Sequence, residues 1–223
     1  MTIRPIRLFG DPILRTAADP VADFDKQLRN LVKDLTETLR DAGGAGLAAP
    51  QIGVGLRVFA YNVDGQRGYL VNPALEFPDD TEQDGDEGCL SFPGIYYDVK
   101  RRQNTIARGL TDRGDQVQLV GTDFMARCLQ HETDHLDGIL FIDRMDTATR
   151  KAAMKAIREA EWSGAPAPAV KVSPHRISTN RALLRSVKFK KIGYMSVRWA
   201  DRPSLREAGC HLCISCERVK AVT

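Results

Sequence analysis

Long apolar segments are absent from this 223-residue chain, and both cysteine and histidine are scarce. No apolar run reaches the roughly 18 residues that a membrane-spanning helix needs, and the first residues do not lead into an apolar signal segment. The five cysteines are an odd number, and without a secretory signal they favour reduced thiols over a disulfide framework. We therefore expect a soluble, cytoplasmic protein that is not stabilised by disulfide bonds.

Positive charge is unevenly distributed along the chain. Residues 171–223 contain 12 Lys and Arg against 3 Asp and Glu, although the whole chain has a net charge of only +3. A proline-containing linker, residues 165–168, precedes this basic segment, which lacks a sustained helix or strand period. Because 43% of the chain is hydrophobic, one full core can form. We expect one ordered domain over residues 1–165 and a disordered basic tail over residues 166–223.

The tail also contains a cysteine cluster. Cys210, Cys213 and Cys216 are spaced as C-x-x-C-x-x-C, and His211 lies between the first two. A zinc site usually pairs two such ligands with two more about a dozen residues away, and that second pair is missing here. Contact of the basic tail with RNA or with the ribosome is a second alternative. We favour dispensable disorder, because low hydrophobic periodicity and excess charge oppose independent packing.

Two histidines, His131 and His135, lie four residues apart in a segment that contains neither glycine nor proline. The segment predicts a helix over residues 123–137, and on a helix this spacing places both imidazoles on one face, about one turn apart. Both can then bind one metal ion, while Glu132 can reach a water molecule beside it. Histidines without a ligand role are the alternative, but the chain has only four histidines. The pattern indicates a metal-dependent hydrolase.

The predicted metal helix has two apolar stripes. Phe124 and Cys128 continue the stripe of the histidines, so we expect them to face the metal, although both are also good core residues. The neighbouring stripe is expected to pack into the core and consists of Met125, Leu129 and Leu136.

A catalytic site of the zinc type uses three protein ligands and leaves one position open for water, so the two histidines need a partner. Cys89 is the best candidate, because Gly88 beside it permits a close approach of the backbone. A lone cysteine is more often a small buried hydrophobe, and this alternative stays open on the residues alone.

The remaining patterns predict hairpins between helices. Hydrophobic spacing predicts two more helices, over residues 24–39 and 148–162. Two antiparallel hairpins are predicted from apolar or alternating segments around turn signals, namely residues 56–61 with 68–72 and residues 99–107 with 116–120. The order of these elements indicates an α+β fold.

Two other segments have no clear helix or strand period. The glycine-rich residues 44–53 leave room for a ligand or another backbone to approach closely, and a tight connection between helix and sheet is the alternative; Gln51 supplies the only side-chain amide in this segment. No phosphate-loop pattern occurs in this segment. The acidic residues 79–87 predict a solvated loop.

Three motifs, in this order, resemble the signature motifs of the peptide deformylase family. They are Gly44-Ala45-Gly46-Leu47-Ala48-Ala49-Pro50-Gln51, Glu87-Gly88-Cys89-Leu90-Ser91 and Gln130-His131-Glu132-Thr133-Asp134-His135. The resemblance covers residues 3–165 and implies an α+β fold in which antiparallel sheets pack around the metal-binding helix. It also implies the family's reaction, removal of the formyl group from the N-terminal formylmethionine of new polypeptides, usually with Fe2+.

The resemblance further implies roles for individual residues. Glu132 would be the general acid and base, and Glu87 would form a supporting salt bridge with Arg101. The implied metal ligands are Cys89, His131 and His135. One thiolate with two imidazoles also suits Zn2+, Ni2+ or Co2+, so Fe2+ is implied by the resemblance alone.

Substrate contacts are implied in the same way. The Gln51 side chain and the Leu90 N–H would donate hydrogen bonds to the formyl oxygen, and Gly46 would line the substrate backbone. Cys128 and Phe124 would flank the pocket for the methionine side chain. We expect a monomer that acts on N-formylmethionyl nascent polypeptides, with a transient ribosome contact.

Two rival functions match parts of the sequence. A zincin-like endopeptidase usually has its third ligand downstream of the metal helix, and no suitable His-rich motif follows here. A nonenzymatic metal-binding or ribosome-binding protein would close the site with a fourth residue and would leave Glu132 without a required role. Metal retention without hydrolysis of formyl-Met peptides would favour this second rival.

Overall fold

The computed structural model describes residues 3–164, and the basic tail with its cysteine cluster lies outside these residues. Three α-helices occur in the described part: α1 (Lys26–Ala42), α2 (Asp123–Leu136) and α3 (Thr147–Glu159). Short 3₁₀ helices cover Pro12–Arg15, Ala49–Ile52 and Phe141–Asp143. The same residues form nine strands: β1 (Gly46–Ala48), β2 (Val58–Val63), β3 (Gln66–Glu76), β4 (Glu82–Gln83), β5 (Asp86–Gly88), β6 (Tyr96–Asp98), β7 (Arg101–Arg102), β8 (Asn104–Leu110) and β9 (Gln116–Thr122).

Helix α1 begins and ends at residues that suit those positions. The Asp25 side chain accepts hydrogen bonds from the N–H groups of Gln27 and Leu28, at 2.8 and 3.0 Å. Gly43 ends the helix in the left-handed conformation, with a φ of 65°. The buried stripe of the helix packs on the sheet and consists of Leu28, Leu31, Val32, Leu35 and Leu39. The predicted N-terminal amphipathic helix is therefore confirmed.

The main sheet is antiparallel and has the strand order β1-β2-β3-β8-β9. Alternate residues of a strand face opposite sides of a sheet, and β2 uses both sides for packing. Val58 and Ala60 pack with α1, whereas Phe59 and Val63 pack with α2. The sheet therefore lies between two helices. Both predicted hairpins are confirmed as the pairs β2–β3 and β8–β9.

The glycine-rich residues 44–53 form β1 and a 3₁₀ helix, so the interpretation as only a tight connection is wrong. A close approach is observed, because a Cβ atom at Gly46 would overlap the Glu132 carboxylate. Gly46 pairs with Tyr61 of β2, which makes β1 the edge strand of the main sheet. Small residues lack the β-branched and aromatic side chains that usually indicate a strand. The strand is specified by its pairing with β2 and by burial of Leu47 and Ala48 on opposite faces.

Two short sheets form where the acidic residues 79–87 predict a solvated loop. Strand β4 pairs with β7, and β5 pairs with β6. The prediction is wrong for Glu87, which is buried in β5. A carboxylate is costly to bury alone, and here arginines from distant positions in the chain offset that cost.

Helix α2 packs across the second face of the main sheet. Met125, Leu129 and Leu136 lie in the core beneath it, which confirms the packing predicted for their stripe. This arrangement leaves the other side of the helix to face the short sheet β5–β6. The observed fold is α+β, with antiparallel sheets around α2, as the sequence predicts.

Helix α3 completes a separate apolar cluster around Phe92 and Phe141. Trp162, which follows the helix, packs edge-on against Phe92 and donates its indole N–H to the Pro93 carbonyl oxygen at 2.9 Å. The cluster fixes the end of the described chain beside the segment that follows β5. Among residues 3–164 there is no helix with the length and apolar character that crossing a membrane would require.

Candidate metal centre

Helix α2 carries both predicted histidine ligands on one buried face. His131 and His135 are 8% and 1% exposed, and their ring centroids are 4.9 Å apart. The spacing of four residues along the helix places the rings side by side. Helix α2 thus supplies two imidazoles to one point.

Cys89 approaches this point from the turn that follows β5. The turn is closed by a hydrogen bond of 2.8 Å from the Phe92 N–H to the Cys89 carbonyl oxygen. The Cys89 Sγ lies 3.2 Å from Nε2 of His135. One ligand atom each from Cys89, His131 and His135 lies within 4.8 Å of the others. The three residues that were predicted as metal ligands from the sequence therefore lie close together.

The donor set fits a transition-metal ion, because one sulfur and two imidazole nitrogens converge on a buried point. Burial opposes a positive charge on His131, but Cys89 and Glu87 outweigh it and raise the pKa of His131 well above its usual value. Burial and the neighbouring His131 lower the pKa of His135 well below its usual value.

Glu87 orients the first histidine. Its Oε1 lies 2.7 Å from Nδ1 of His131, which leaves Nε2 of that ring to bind a metal. Arg101 donates to both oxygens of Glu87, at 3.0 and 2.6 Å, so the implied salt bridge is present. Burial opposes the ionisation of Glu87, but His131 and Arg101 outweigh it and lower the pKa of this carboxyl well below its usual value.

Two buried residues of this network were not identified from the sequence. Arg127 donates from Nη1 to Oε2 of Glu87 at 2.8 Å, and Asp134 accepts from Nη1 of Arg101 at 2.6 Å. Arg127 precedes His131 by four residues, so an arginine on the histidine face of α2 was the available signal. Asp134 is part of the third motif but carried no predicted role.

Glu132 lies beside the ligands and is 3% exposed. Its Oε2 is buried and has no hydrogen-bond partner among the described residues. Burial, with a smaller contribution from Glu87, raises the pKa of Glu132 to about 7 against the opposing charge of His131. A Cβ atom added at Gly46 would overlap the Glu132 carboxylate, so the edge strand β1 touches this group closely.

Gln51 borders Cys89 from the 3₁₀ helix after β1. Its Oε1 accepts from the Ala48 N–H at 2.8 Å, which fixes the orientation of the amide. Its Nε2 lies 3.5 Å from Sγ of Cys89 and 3.2 Å from Oγ of Ser91. The Gln51 side chain can therefore donate a hydrogen bond to the Cys89 sulfur. Leu90 follows Cys89 directly, within the same turn.

The two remaining predicted residues differ in their placement. Cys128 is 5% exposed, and its thiol donates to the Ala45 carbonyl oxygen at 3.4 Å, so it lies between α2 and the segment before β1. Phe124 is 50% exposed in the first turn of α2. The structure thus places Cys128 beside the candidate site and Phe124 at the protein surface.

Comparison with known proteins agrees with this geometry. Residues 3–151 match the family model described as polypeptide deformylase. The peptide deformylase of Acidothermus cellulolyticus is 63% identical over 175 residues, covering 78% of this chain and 96% of that protein. These similarities exclude the endopeptidase and nonenzymatic alternatives.

Solved structures give the same result. The peptide deformylase from Thermus thermophilus matches with a TM-score of 0.66 at 40% identity, covering 70% of this chain and 94% of that one. A peptide deformylase from Synechococcus elongatus, in complex with actinonin, matches with a TM-score of 0.65 at 33% identity, covering 70% of this chain and 87% of that one. Since sequence, fold and site agree over most of its length, the chain belongs to the polypeptide deformylase family.

Proposed function

We propose that Cys89, His131 and His135 bind the metal ion with which this enzyme removes the N-terminal formyl group from nascent polypeptides. The metal-dependent deformylase activity follows from the family. The observation that supports the ligand assignment is the convergence of these three side chains, whose ligand atoms lie within 4.8 Å of one another. We propose Fe2+ as the bound ion on the basis of the family resemblance alone. Zn2+, Ni2+ or Co2+ are proposed as substitutes, because a thiolate with two imidazoles suits all four ions.

Glu132 is proposed as the general acid and base. When bound, the metal would lower the pKa of a coordinated water to about 7 and would polarise the formyl carbonyl. Glu132 follows the ligand His131 directly, and its unpartnered Oε2 can accept a proton from the attacking water. The same carboxyl then donates a proton to the amine that leaves as the C–N bond breaks.

Gln51 and Leu90 are proposed as the hydrogen-bond donors to the formyl oxygen, which gains negative charge as water attacks the carbon. The Gln51 amide is held by the Ala48 N–H, so its Nε2 needs little reorganisation to reach a group near Cys89. Loss of one such donor typically costs about 3 to 4 kcal/mol of transition-state stabilisation.

The edge strand β1 is proposed to bind the substrate backbone. One side of β1 is paired with β2, and an extended peptide can add to the other side through main-chain hydrogen bonds. Gly46 lies in this strand beside Glu132, so the peptide would approach the general base closely. Cys128 and Phe124 are proposed to flank the methionine side chain of the substrate.

Release of formate tests the assignment directly. Full-length protein, prepared anaerobically with Fe2+, should release formate from formyl-Met-Ala-Ser but should leave acetyl-Met-Ala-Ser intact, because the site is proposed to be too tight for a larger acyl group. Actinonin, which occupies the Synechococcus elongatus deformylase, should inhibit the reaction. Full activity after complete removal of metal would refute the proposed role of the ligands.

The cellular setting is proposed from the substrate. Formylated chains are presented as they leave the ribosome, so we propose a cytoplasmic monomer that contacts the ribosome transiently. The excess of positive charge in residues 171–223 supports such a contact. Co-sedimentation with ribosomes at low and high salt would test it, and a salt-independent absence of binding would refute it.

A further inference from the structure

Arg127 connects the two parts of the chain that carry the proposed ligands. It lies on α2, one turn before His131, and its side chain is only 5% exposed. Nη1 donates to Oε2 of Glu87 and to the carbonyl oxygen of Val99, each at 2.8 Å. Glu87 is in β5, which leads to Cys89, whereas Val99 follows β6, the partner strand of β5. One guanidinium therefore joins α2 to β5 and to the residue that follows β6, on both sides of the hairpin whose connecting segment begins with Cys89.

Arg101 provides a different connection between the same parts. It comes from β7 and reaches α2 through Asp134, next to His135, while it also binds Glu87. Arg127 instead holds Glu87 from the side of His131. The hairpin is thus attached to α2 at two places along the helix, one near each histidine.

The buried charges in this network are balanced. Glu87 and Asp134 are negative, and Arg101 and Arg127 are positive, with all four side chains at least nine-tenths buried. Loss of the Arg127 guanidinium would remove one of the positive charges that compensate the buried carboxylates. It would leave Arg101 and His131 as the partners of Glu87, so the structure around this carboxylate would have to shift or admit water. Glu87 is the carboxylate affected, and it holds Nδ1 of His131 at 2.7 Å.

We propose that Arg127 is a positioning residue of the metal centre. By fixing the β5–β6 hairpin against α2, it sets the separation between the Cys89 sulfur and the two imidazoles. This inference rests on the proposed ligand assignment. Arg127 donates both hydrogen bonds from one nitrogen, Nη1, so a lysine ammonium, which also carries several donors on one nitrogen, keeps the charge and part of this connection.

The test uses full-length variants loaded with Co2+. Arg127→Met removes the charge and the donors but keeps much of the volume, and Arg127→Lys keeps the charge. Arg144→Met is the matched control, because Arg144 donates to Asp134 at 3.0 and 2.6 Å in the same network but does not contact Glu87. The measurements are the visible spectrum of the bound Co2+, its rate of loss to EDTA, and kcat and KM for formyl-Met-Ala-Ser.

For Arg127→Met we expect release of Co2+ about tenfold faster than in the wild type, as for other residues that orient a ligand. The Co2+ spectrum should change and kcat should fall, while KM should stay close to the wild-type value. For Arg127→Lys we expect a Co2+ release rate and a kcat between those of Arg127→Met and the wild type. Arg144→Met should match the wild type. Equal changes in Arg144→Met would overturn the proposal, and so would a wild-type spectrum and release rate in Arg127→Met.

Two further results separate the causes of failure. If Cys89→Ala retains Co2+ as well as the wild type does, the ligand assignment itself is wrong. If Cys89→Ala loses Co2+ while Arg127→Met does not, only the positioning role is wrong. Should circular dichroism show that Arg127→Met is unfolded, Arg127→Gln, which also removes the charge, takes its place, and a wild-type spectrum and release rate in that variant overturn the proposal.

Discussion

Glu132 keeps a buried carboxylate oxygen without a hydrogen-bond partner among the described residues, which is uncommon for a buried polar atom. Glu132→Gln should therefore retain metal, because the three proposed ligands remain, but should lose the proton acceptor. We expect kcat to fall by about a hundredfold to ten-thousandfold. Metal content and formate release measured on the same preparation check this. Glu161→Gln, at an exposed position, is the control, and substantial activity in Glu132→Gln would remove Glu132 from its role.

Substitution of Gly46 tests the close contact between β1 and the Glu132 carboxylate. A Cβ atom at this position would overlap the Glu132 carboxylate and force it to move, whereas a Cβ atom at Gly55 would meet nothing within 4 Å. Gly46→Ala should reduce kcat/KM by about a hundredfold, because small displacements of a catalytic group are costly. Gly55→Ala should behave as the wild type. Equal formate release from the two variants would show that the close approach of β1 is unimportant.

Some residues of the candidate site can be predicted from local sequence, and others cannot. The spacing of His131 and His135 on a helix is enough to predict that both bind at one point, because helix geometry is local. Cys89 lies 42 residues before His131, and the resemblance to a family, not the spacing, made it the predicted third ligand. The pairing of Arg127 with Glu87 crosses 40 residues, so no local pattern could reveal it.

Asp143 links two of the 3₁₀ helices, Pro12–Arg15 and its own Phe141–Asp143, to α3 through ion pairs. Its carboxylate is bound by Arg15, by Arg150 at 3.1 Å and by the Leu140 N–H at 2.9 Å. Burial opposes ionisation of Asp143, but Arg15, the Leu140 N–H and Arg150 outweigh it and lower its pKa. The folded state therefore binds a proton here less readily than the unfolded state does.

Asp143→Asn should consequently destabilise the protein at neutral pH, by about 1 kcal/mol or less because the group is partly exposed. The difference from the wild type should be complete above the unfolded pKa of about 3.9 and should vanish as the pH falls through the lower folded pKa. Urea unfolding at pH 7 and at lower pH values measures it. Asp23→Asn, at an exposed position, is the control. A difference that grows on acidification would contradict the direction of this shift.

Elements with a strong internal pattern were predicted well, and those specified by pairing were not. The apolar stripe of α1 and the turn between β2 and β3 are visible within a few residues. Strand β1 has only small residues and one leucine, and it becomes a strand because β2 lies beside it. The acidic residues before Cys89 form β4 and β5 because β7 and β6 pair with them and arginines neutralise Glu87.

At the level of the whole chain, every residue proposed for catalysis or metal binding lies between Gly46 and His135. A protein shortened after Val170 should therefore release formate from formyl-Met-Ala-Ser at nearly the wild-type rate. It should lose any salt-sensitive binding to RNA, because the segment with 12 basic and 3 acidic residues is removed. Formate release and RNA binding at two salt concentrations test the division at residue 165. A shortened protein that folds and holds metal but cannot deformylate would show that the tail completes the site.

Trp162 packs edge-on against Phe92 at a centroid distance of 6.3 Å, and the Phe92 N–H is bonded to the Cys89 carbonyl oxygen. The chain has two tryptophans, and the other, Trp199, is in the tail. Shortening the chain after Val170 would therefore leave one tryptophan, which lies three residues beyond the end of α3 and one aromatic contact from the turn that contains Cys89. We therefore expect binding of a metal ion beside Cys89 to change the intrinsic fluorescence of the shortened protein, so that metal loading can be measured without a dye or a substrate.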